Sequence, residues 1–410
     1  MRKKKTMLWC SLGVLLSVRL LVMITTPVFE PSEARYAAIS ANMARTGDFL
    51  VPHLTHKGVY ASFDGKPPLV FQAGGVFCRL MGVSEFAVRF FPFLSALLLL
   101  FILYHTARAQ YGRGAASLAV GICTSSVALY ATAGFAMTDM SLTCSVSGAL
   151  LLYTRLRQER HLALFLGIAV LLGCGMLVKG PVALALFGLP VLADAMLNHH
   201  GQFLLDHRWL PGAVIFLIIS APWFVLMHEE NPDFLRYFFI NENFLRFLVH
   251  DYGDKYGAGR ETFRGMALVW LFVVSLPWTL LPLLTLRHLH VPGLRRISQD
   301  FPALATIVIT GFWCLTSRVP LTYLLPTVPL VALWLASGCN RRPLLWKLLP
   351  YSAALAMLVL IGSLLYAQNF SKKMPGPDAG PRTHGLHYSH EFYHGPWGIG
   401  APSWENGDAR

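Results

Sequence analysis

Cationic side chains stand close to carboxylates at points where apolar segments of the chain begin or end. Asp64 and Lys66 lie two positions apart, just before two prolines and an apolar stretch, and Asp139 and Lys179 each stand at the end of an apolar run. Lysine at such a boundary can hold a phosphate, and a carboxylate can take a proton from a hydroxyl. These residue types suggest chemistry on a phosphorylated substrate, whereas simple anchoring of the chain at a boundary is the alternative.

A second group of candidate residues lies in the segment 30–47. Its sequence predicts an amphipathic helix at the membrane surface that begins near Ser32 and ends at Gly47. Glu33 and Tyr36 are three residues apart and therefore lie on nearly the same face of that helix. A solvated connector without a chemical role is the alternative interpretation.

The composition defines the class of protein that must position these residues. Of the 410 residues, 55% are hydrophobic and only 13% are charged, whereas soluble domains have about 25% charged residues. The mean hydropathy is +0.51. These values disfavour a soluble enzyme and predict a polytopic membrane protein. The net charge of +13 does not indicate nucleic acid, because Lys and Arg punctuate apolar runs instead of clustering on one polar face.

Apolar runs of about 17–25 residues predict membrane-spanning helices. We expect about eleven of them, within a range of 9–13, in one all-α bundle that covers residues 1–367. Two long polar loops, 29–86 and 228–264, and a short polar tail, 368–410, are expected on one face. The predicted spans are 7–28, 87–107, 115–136, 140–154, 161–178, 181–197, 210–227, 265–286, 301–316, 321–339 and 348–367.

The placement of charge predicts the orientation of the bundle. If the N-terminus is cytoplasmic, the cytoplasmic segments hold 16 Lys and Arg against four Asp and Glu. This excess satisfies the positive-inside rule. It leaves nearly all carboxylates on the opposite face. We therefore expect a multi-pass protein of the inner (plasma) membrane whose acid–base chemistry lies on the periplasmic or outer face.

Several motifs, taken in order over about residues 26–335, resemble the loops of GT-C glycosyltransferases. The nearest branch is that of the bacterial aminoarabinose transferases and protein mannosyltransferases. Each motif is short, but their order along the chain is specific. The segments that carry the resemblance are Glu33–Ala37, Lys66–Leu69, Ala87–Phe90, Met137–Met140, Val178–Pro181, Glu242–Phe247 and Ser317–Pro326.

The resemblance implies transfer of a sugar from a polyprenyl-phosphate donor to a lipid, glycan or protein acceptor, with inversion at the anomeric carbon. It implies no nucleotide cofactor and no nucleic-acid partner; no metal site is predicted, although some distant relatives use a divalent metal. The oligomeric state stays open. The implied catalytic carboxylates are Glu33, Asp64 and Glu30. The implied phosphate-binding residues are Lys66, Arg35, Tyr36, Lys179, Arg246 and Arg318, and the implied cavity-lining residues are Asp139, Glu242, Asn243, His228 and Tyr323.

The chain departs from the family pattern at the carboxylates. The family has Asp-Glu before x-Arg-Tyr, where this chain has Ser32 and Glu33, and it has an acid directly before Lys-Pro, where Gly65 intervenes after Asp64. Arg318 also lies one residue further from the following tyrosine than the family's lysine does. A non-catalytic lipid-phosphate-binding relative or scaffold subunit is therefore an alternative to the enzyme. A secondary transporter is a further alternative. It predicts charged residues at mid-membrane, whereas the charges of this chain, apart from Arg19, cluster at the boundaries of the apolar runs.

Overall fold

The computed structural model describes residues 2–28, 32–56, 59–198, 201–249, 255–256, 261–280, 299–337 and 343–373. The described helices are α1 (Arg2–Thr25), α2 (Ser32–Thr46), α3 (Leu69–Met81), α4 (Glu85–Thr124), α5 (Val127–Thr132), α6 (Thr138–Leu156), α7 (Leu162–Lys179), α8 (Val182–Leu197), α9 (Gly201–Leu204), α10 (Trp209–Glu230), α11 (Arg246–Leu248), α12 (Met266–Val274), α13 (Phe301–Cys314), α14 (Val328–Ser337) and α15 (Pro343–Lys373). A π-helix covers Arg236–Leu245 and a 3-10 helix covers Leu321–Thr327. Strands β1 (His53–His56) and β2 (Val59–Ser62) pair antiparallel.

The helices have the length and surface of a membrane protein. In the part of the chain that the structure describes, α4, α7 and α10 are long and apolar enough to cross a bilayer, and shorter apolar helices accompany them. Leu217 and Ile218 on α10 are 55% and 67% exposed, as expected for side chains that face lipid. The helical membrane fold is therefore confirmed, whereas the number of eleven spans stays a prediction.

Three of the predicted spans show how the helices differ from the prediction. α4 merges the spans 87–107 and 115–136 across a break at Gly112, which has a φ of 81° that a side chain would disfavour. α4 ends at Thr124, well before residue 136. Just after this end, the Ser125 hydroxyl donates to the carbonyl of Gly121, and such a bond competes with the backbone hydrogen bonds of a helix. The span 265–286 is helical only in its first half, over α12, and its last six residues lie outside the described part.

α2 forms where the sequence predicts a helix, but most of its residues are buried. Its alanines face neighbours on nearly all sides. α3 approaches so closely that a Cβ atom on Gly74 would lie 2.5 Å from the Ser40 hydroxyl, and one on Gly75 would lie 3.1 Å from Met43 Cβ. Small residues allow such close helix packing. The predicted helix is therefore present, but most of its residues are buried against other parts of the protein instead of facing solvent. Its place at the membrane surface stays a prediction.

A β-hairpin that the sequence analysis did not predict lies inside the first loop. His53 pairs with Ser62, and the N–H of Phe63 donates to the carbonyl of Pro52 over 2.7 Å at the open end of the hairpin. β2 leads directly to Asp64. The hairpin therefore fixes the position of the Asp-Gly-Lys turn relative to α2 and α3.

The second loop contains a packed aromatic cluster. Phe234 and Phe238 stack with ring centroids 5.6 Å apart and planes inclined by 9°, and both are buried. Trp223 and Phe224 of α10 pack against them. The sequence analysis favoured a helix over 234–248 lying in the membrane interface. Phe234 and Phe238 pack into the protein, whereas Phe244 is 59% exposed, so the place of this segment in the interface stays a prediction. Arg236–Leu245 form a π-helix, a geometry that is frequent at functional sites.

α6 forms the centre of the bundle. Nearly all of its side chains are buried, and many are small or carry hydroxyl groups. A Cβ atom on Gly148 would lie 3.1 Å from Leu171 and 3.2 Å from Ile102, so α7 and α4 pack closely on it. This packing fixes the N-terminal end of α6, which carries Asp139, beside the loops. The predicted division at residue 367 is not tested; α15 continues to Lys373, and residues 374–410 lie outside the described part.

Candidate functional site

A pocket lies where the two loop segments meet the helical bundle. The space between its lining residues, counted together with open solvent at its mouth, is about 420 Å³. Lys66 reaches it from the first loop, Lys179 from the end of α7, and Arg246 from the start of α11. Cations that converge on one pocket suit an anionic group, and the apolar side chains around them reduce the screening by water. Predicted residues that line the pocket are Lys66, Lys179, Glu242, Asn243, Arg246 and Tyr323.

Glu242 holds two of the three cations. Its Oε2 lies 2.8 Å from Arg246 Nη1 and 3.4 Å from Lys66 Nζ. Its Oε1 accepts a hydrogen bond of 3.0 Å from the Tyr237 hydroxyl. Burial opposes ionisation, but Lys66 and Arg246 outweigh it and hold the pKa of Glu242 below its usual value. An ionised carboxylate with all these partners is suited to organise cations and is a poor proton acceptor.

The surroundings of Lys66 make its amine easier to deprotonate than that of an ordinary lysine. Burial lowers the pKa of Lys66 to about 8, against the attraction of Glu242, and the nearby charges of Arg246 and Lys179 lower it further. Its Nζ also donates to the carbonyl of Gly65 over 2.6 Å. A phosphate bound at this point would favour the charged amine.

The third cation is positioned by α6. Lys179 Nζ lies 2.7 Å from Asp139 Oδ1 and 4.2 Å from the centroid of the Tyr323 ring. Gly180 ends α7 with a φ of 77°, and a Cβ atom there would lie 2.5 Å from Phe238. The Lys-Gly pair therefore ends the helix, presents the amine and allows the π-helix to approach.

Asp64 lies beside the pocket and connects it to the second loop. Its Oδ2 lies 2.9 Å from Lys255 Nζ, and its Oδ1 accepts from the Ser62 hydroxyl over 3.2 Å. The Tyr237 hydroxyl, which donates to Glu242, accepts from the Lys255 amide over 3.1 Å. The Asp64 carboxylate is buried, whereas the Lys255 side chain is 49% exposed. Displacing Lys255 would therefore free Oδ2 of the carboxylate from this ion pair.

Glu33 is placed in a buried ion pair and not in the wall of the pocket. Arg89 Nε and Nη2 lie 2.8 and 3.0 Å from its two oxygens, and the Ala136 amide donates to Oε1 over 3.0 Å. Arg89 also donates to the carbonyl of Thr26 over 2.7 Å. The pair joins α1, α2, α4 and the connector before α6. This position does not support Glu33 as a base, since both oxygens are engaged, and we reinterpret it as a residue that positions these elements.

The other residues predicted to bind phosphate, Arg318, Arg35 and Tyr36, lie outside the wall of the pocket. Arg318 Nη2 lies 2.8 Å from Glu261 Oε1, and its Nη1 donates to the carbonyl of Arg246 over 3.2 Å. Arg318 therefore supports Arg246 from behind and does not line the pocket. Arg35 and Tyr36 lie on α2 near the cations, and burial raises the pKa of Tyr36 against the charge of Arg35.

The remaining predicted residues are only partly brought together. Asn243 lines the pocket and donates to the Phe238 carbonyl over 2.8 Å. His228 is exposed near the end of α10 and does not line the pocket. Glu30 lies outside the described residues. No group of three or more His, Cys, Asp or Glu that could hold a metal occurs within the described ranges.

Several contributors were missed by the sequence analysis. Phe247 and Trp313 line the pocket, and Lys255 and Tyr237 link its carboxylates. Arg89 stands inside one of the motifs that carry the family resemblance, so its position was visible although its role was not. Phe247 likewise stands inside one of these motifs. Trp313 lies in an apolar run where sequence spacing predicts only packing, and Lys255 lies in a polar loop whose fold the sequence does not predict.

Comparisons with known proteins concern the fold and the family of the chain. Residues 65–226 match the family model described as dolichyl-phosphate-mannose-protein mannosyltransferase. The fold matches the crystal structure of ArnT from Cupriavidus metallidurans bound to undecaprenyl phosphate, with a TM-score of 0.69 at 23% identity over 90% of this chain and 66% of that one. The chain is thus an α-helical membrane protein with the fold of the GT-C glycosyltransferases.

Within that class the chain resembles the bacterial aminoarabinose transferases. It is 30% identical over 325 residues to undecaprenyl phosphate-alpha-4-amino-4-deoxy-L-arabinose arabinosyl transferase of Aeromonas hydrophila. It is 29% identical over 317 residues to the protein of that name from Pectobacterium atrosepticum. Each match covers 76% of this chain but only 56% and 55% of the relative. The chain therefore spans little more than half the length of these relatives.

Proposed function

We propose that the protein is a membrane glycosyltransferase that takes its sugar from a polyprenyl-phosphate donor. The observation that carries the proposal is the convergence of Lys66, Lys179 and Arg246 on one pocket. The similarity to undecaprenyl-phosphate-dependent transferases supports the same ligand chemistry. A lipid phosphate beside apolar helices needs both features, cations for its head and an apolar surface for its chain.

In this proposal the three cations stabilise the leaving phosphate. Negative charge grows on the phosphate oxygens as the bond to the sugar breaks, and fixed cations in a partly desolvated site stabilise that charge. Attack by the acceptor from the side opposite the phosphate inverts the anomeric carbon. The charge of the phosphate is met by side chains, so we propose that neither a nucleotide nor a metal is required.

Asp64 is the carboxylate that the geometry favours as general base. It stands two residues before Lys66, it is connected to the pocket through Lys255 and Tyr237, and its partner Lys255 is half exposed. Glu33 lacks such access, and Glu242 has a lowered pKa that disfavours proton uptake. Release of Lys255 as the acceptor enters would let Asp64 accept the proton.

We propose that the pocket faces the periplasmic or outer side of the inner membrane. The support is the charge distribution, since the opposite segments hold 16 Lys and Arg against four Asp and Glu. The structure brings residues from the predicted outer segments, including Lys66, Asp139, Lys179 and Arg318, to one end of the bundle. The acceptor is a lipid, glycan or protein with a nucleophilic oxygen.

The proposal is tested by measuring transfer with purified protein in detergent. Undecaprenyl-phosphate sugars and an extract of envelope acceptors are supplied, and release of undecaprenyl phosphate is followed by mass spectrometry. We expect release by the wild type and a loss of about 100-fold or more in Asp64→Asn, as for removal of a general base. Asp233→Asn, an exposed carboxylate of the second loop, is the matched control and should keep full activity.

A non-catalytic lipid-phosphate-binding protein is the second candidate. The observations that favour it are the ion pairs of Asp64, Asp139 and Glu242 and the replacement of the family's Asp by Ser32. It predicts binding of undecaprenyl phosphate without release from any sugar donor. Release that depends on Asp64 would exclude it.

A further inference from the structure

Among the buried tryptophans that the structure describes, Trp313 differs from Trp223 and Trp278 in its hydrogen bonding. It lies near the end of α13, is 2% exposed and lines the pocket. Its ring contacts Tyr323 and Phe247, with centroids 4.6 and 5.7 Å away. Its indole Nε1 is buried and has no hydrogen-bond partner among the described residues.

Two other buried indoles in the described part of the chain donate to protein acceptors. Trp278, which is equally buried at 2% exposed, donates to the Ser125 hydroxyl over 3.2 Å. Trp223 donates to the carbonyl of Leu50 over 2.9 Å. A buried donor without an acceptor is unfavourable, and most such donors in proteins are paired. The indole N–H of Trp313 is thus an unpaired donor on a residue that lines the pocket, and a bound ligand is one source of the missing acceptor.

The position of Trp313 relative to the cations indicates which part of a ligand it meets. Lys179 Nζ lies 4.2 Å from the Tyr323 ring centroid, and the centroid of the Trp313 ring lies 4.6 Å from the same centroid. Tyr323 therefore contacts both the cation and Trp313, and all three residues line the pocket. A group attached to a phosphate at Lys179 would lie beside these aromatic rings.

We propose that the indole N–H of Trp313 donates a hydrogen bond to the sugar of the lipid-linked donor and makes Trp313 a determinant of sugar binding. The inference rests on the proposed function. A neutral N–H beside aromatic rings matches a sugar, which offers hydroxyl oxygens as acceptors and apolar C–H faces for packing. The phosphate already has three cations. A site that hydrogen-bonds a substrate hydroxyl discriminates strongly against substrates that lack it.

The test compares two ligands and two variants. Dissociation constants are measured for undecaprenyl phosphate and for undecaprenyl-phosphate 4-amino-4-deoxy-L-arabinose, with wild type, Trp313→Phe and the matched control Trp278→Phe. Thermal unfolding of each ligand-free variant is measured in the same detergent. Both substitutions keep an aromatic ring and remove one indole N–H, but of the two only Trp278 loses an acceptor among the residues that the structure describes.

We expect Trp313→Phe to weaken binding of the sugar-bearing lipid about 3- to 10-fold and to leave undecaprenyl phosphate binding unchanged. We also expect it to lower the unfolding temperature less than Trp278→Phe does. Equal weakening for both lipids, or no weakening for either, would overturn the inference while leaving the proposed function intact. If the wild type binds neither lipid, the proposed function fails and the inference falls with it.

Discussion

At the scale of single residues, the pocket is governed by charges that are only partly compensated. Three cations, Lys66, Lys179 and Arg246, stand against two carboxylates, Glu242 and Asp139. When all five groups are ionised, one positive charge is in excess. Lys66 is the most adjustable of the cations, because burial lowers its pKa to about 8. The other two keep close carboxylate partners at 2.7 and 2.8 Å.

The lowered pKa of Lys66 predicts a pH dependence for lipid phosphate binding. Lys66 is charged below pH 8 and loses its proton as the pH rises through about 8, so binding of undecaprenyl phosphate should weaken over that interval. Lys66→Arg, which stays charged, should bind with little change from about pH 7 to pH 9. The test is the dissociation constant of undecaprenyl phosphate measured against pH for both proteins. A wild-type profile that is flat across this range would contradict the lowered pKa of Lys66.

The buried ion pair of Glu33 predicts a structural phenotype. Glu33→Gln leaves the Arg89 guanidinium buried beside a neutral amide, and breaking a buried pair costs about 3–5 kcal/mol of unfolding free energy. We expect a large fall in the thermal unfolding temperature in detergent. Glu229→Gln, at an exposed position, should unfold like the wild type. If Glu33→Gln is as stable as the wild type but does not transfer sugar, Glu33 is the base after all.

At the scale of secondary structure, close packing of small residues holds α2 against α3. The backbone of Gly74 lies against the side chain of Ser40. A Cβ atom added at Gly74 would lie 2.5 Å from the Ser40 hydroxyl and 2.9 Å from the Ser40 Cβ, closer than real side chains pack. α2 carries Tyr36 and Arg35 toward the pocket. A displaced α2 would therefore disturb the site as well as the packing.

A swap of side chains across this contact tests the packing. Gly74→Ala should lower the free energy of unfolding by about 1–3 kcal/mol, because its new methyl group overlaps Ser40. The double variant Gly74→Ala with Ser40→Gly moves the side chain to the other helix and should recover part of the loss. Chemical or thermal unfolding of both variants gives the comparison; no recovery in the double variant would show that the contact is not what limits the packing.

The sequence was informative where a single physical preference controls an element. Apolar runs predicted the helices, and the ordered motifs predicted that Lys66, Lys179 and Arg246 belong to one site. Sequence could not predict that Glu33 pairs with Arg89, since 56 positions separate them and only the fold brings them together. The hairpin before Asp64 was missed because its strands have four residues each and lack a clear alternation.

At the scale of the whole molecule, the bundle brings segments far apart in the sequence to one end. The first loop supplies Lys66, α7 supplies Lys179 and the second loop supplies Glu242 and Arg246. Clustering of polar residues at one end of an apolar bundle is expected where a membrane protein handles an amphipathic substrate. The central claim is that this end holds the phosphate of a polyprenyl lipid.

Binding of undecaprenyl phosphate to pocket variants tests that claim most directly. Dissociation constants are measured in detergent at neutral pH for wild type, Lys66→Ala, Arg246→Ala and Arg264→Ala, the last being an exposed cation of the second loop outside the pocket. We predict about tenfold or greater weakening for each pocket variant, as for loss of a charge-assisted contact, and unchanged binding for Arg264→Ala. Wild-type affinity in both pocket variants would contradict the proposed site.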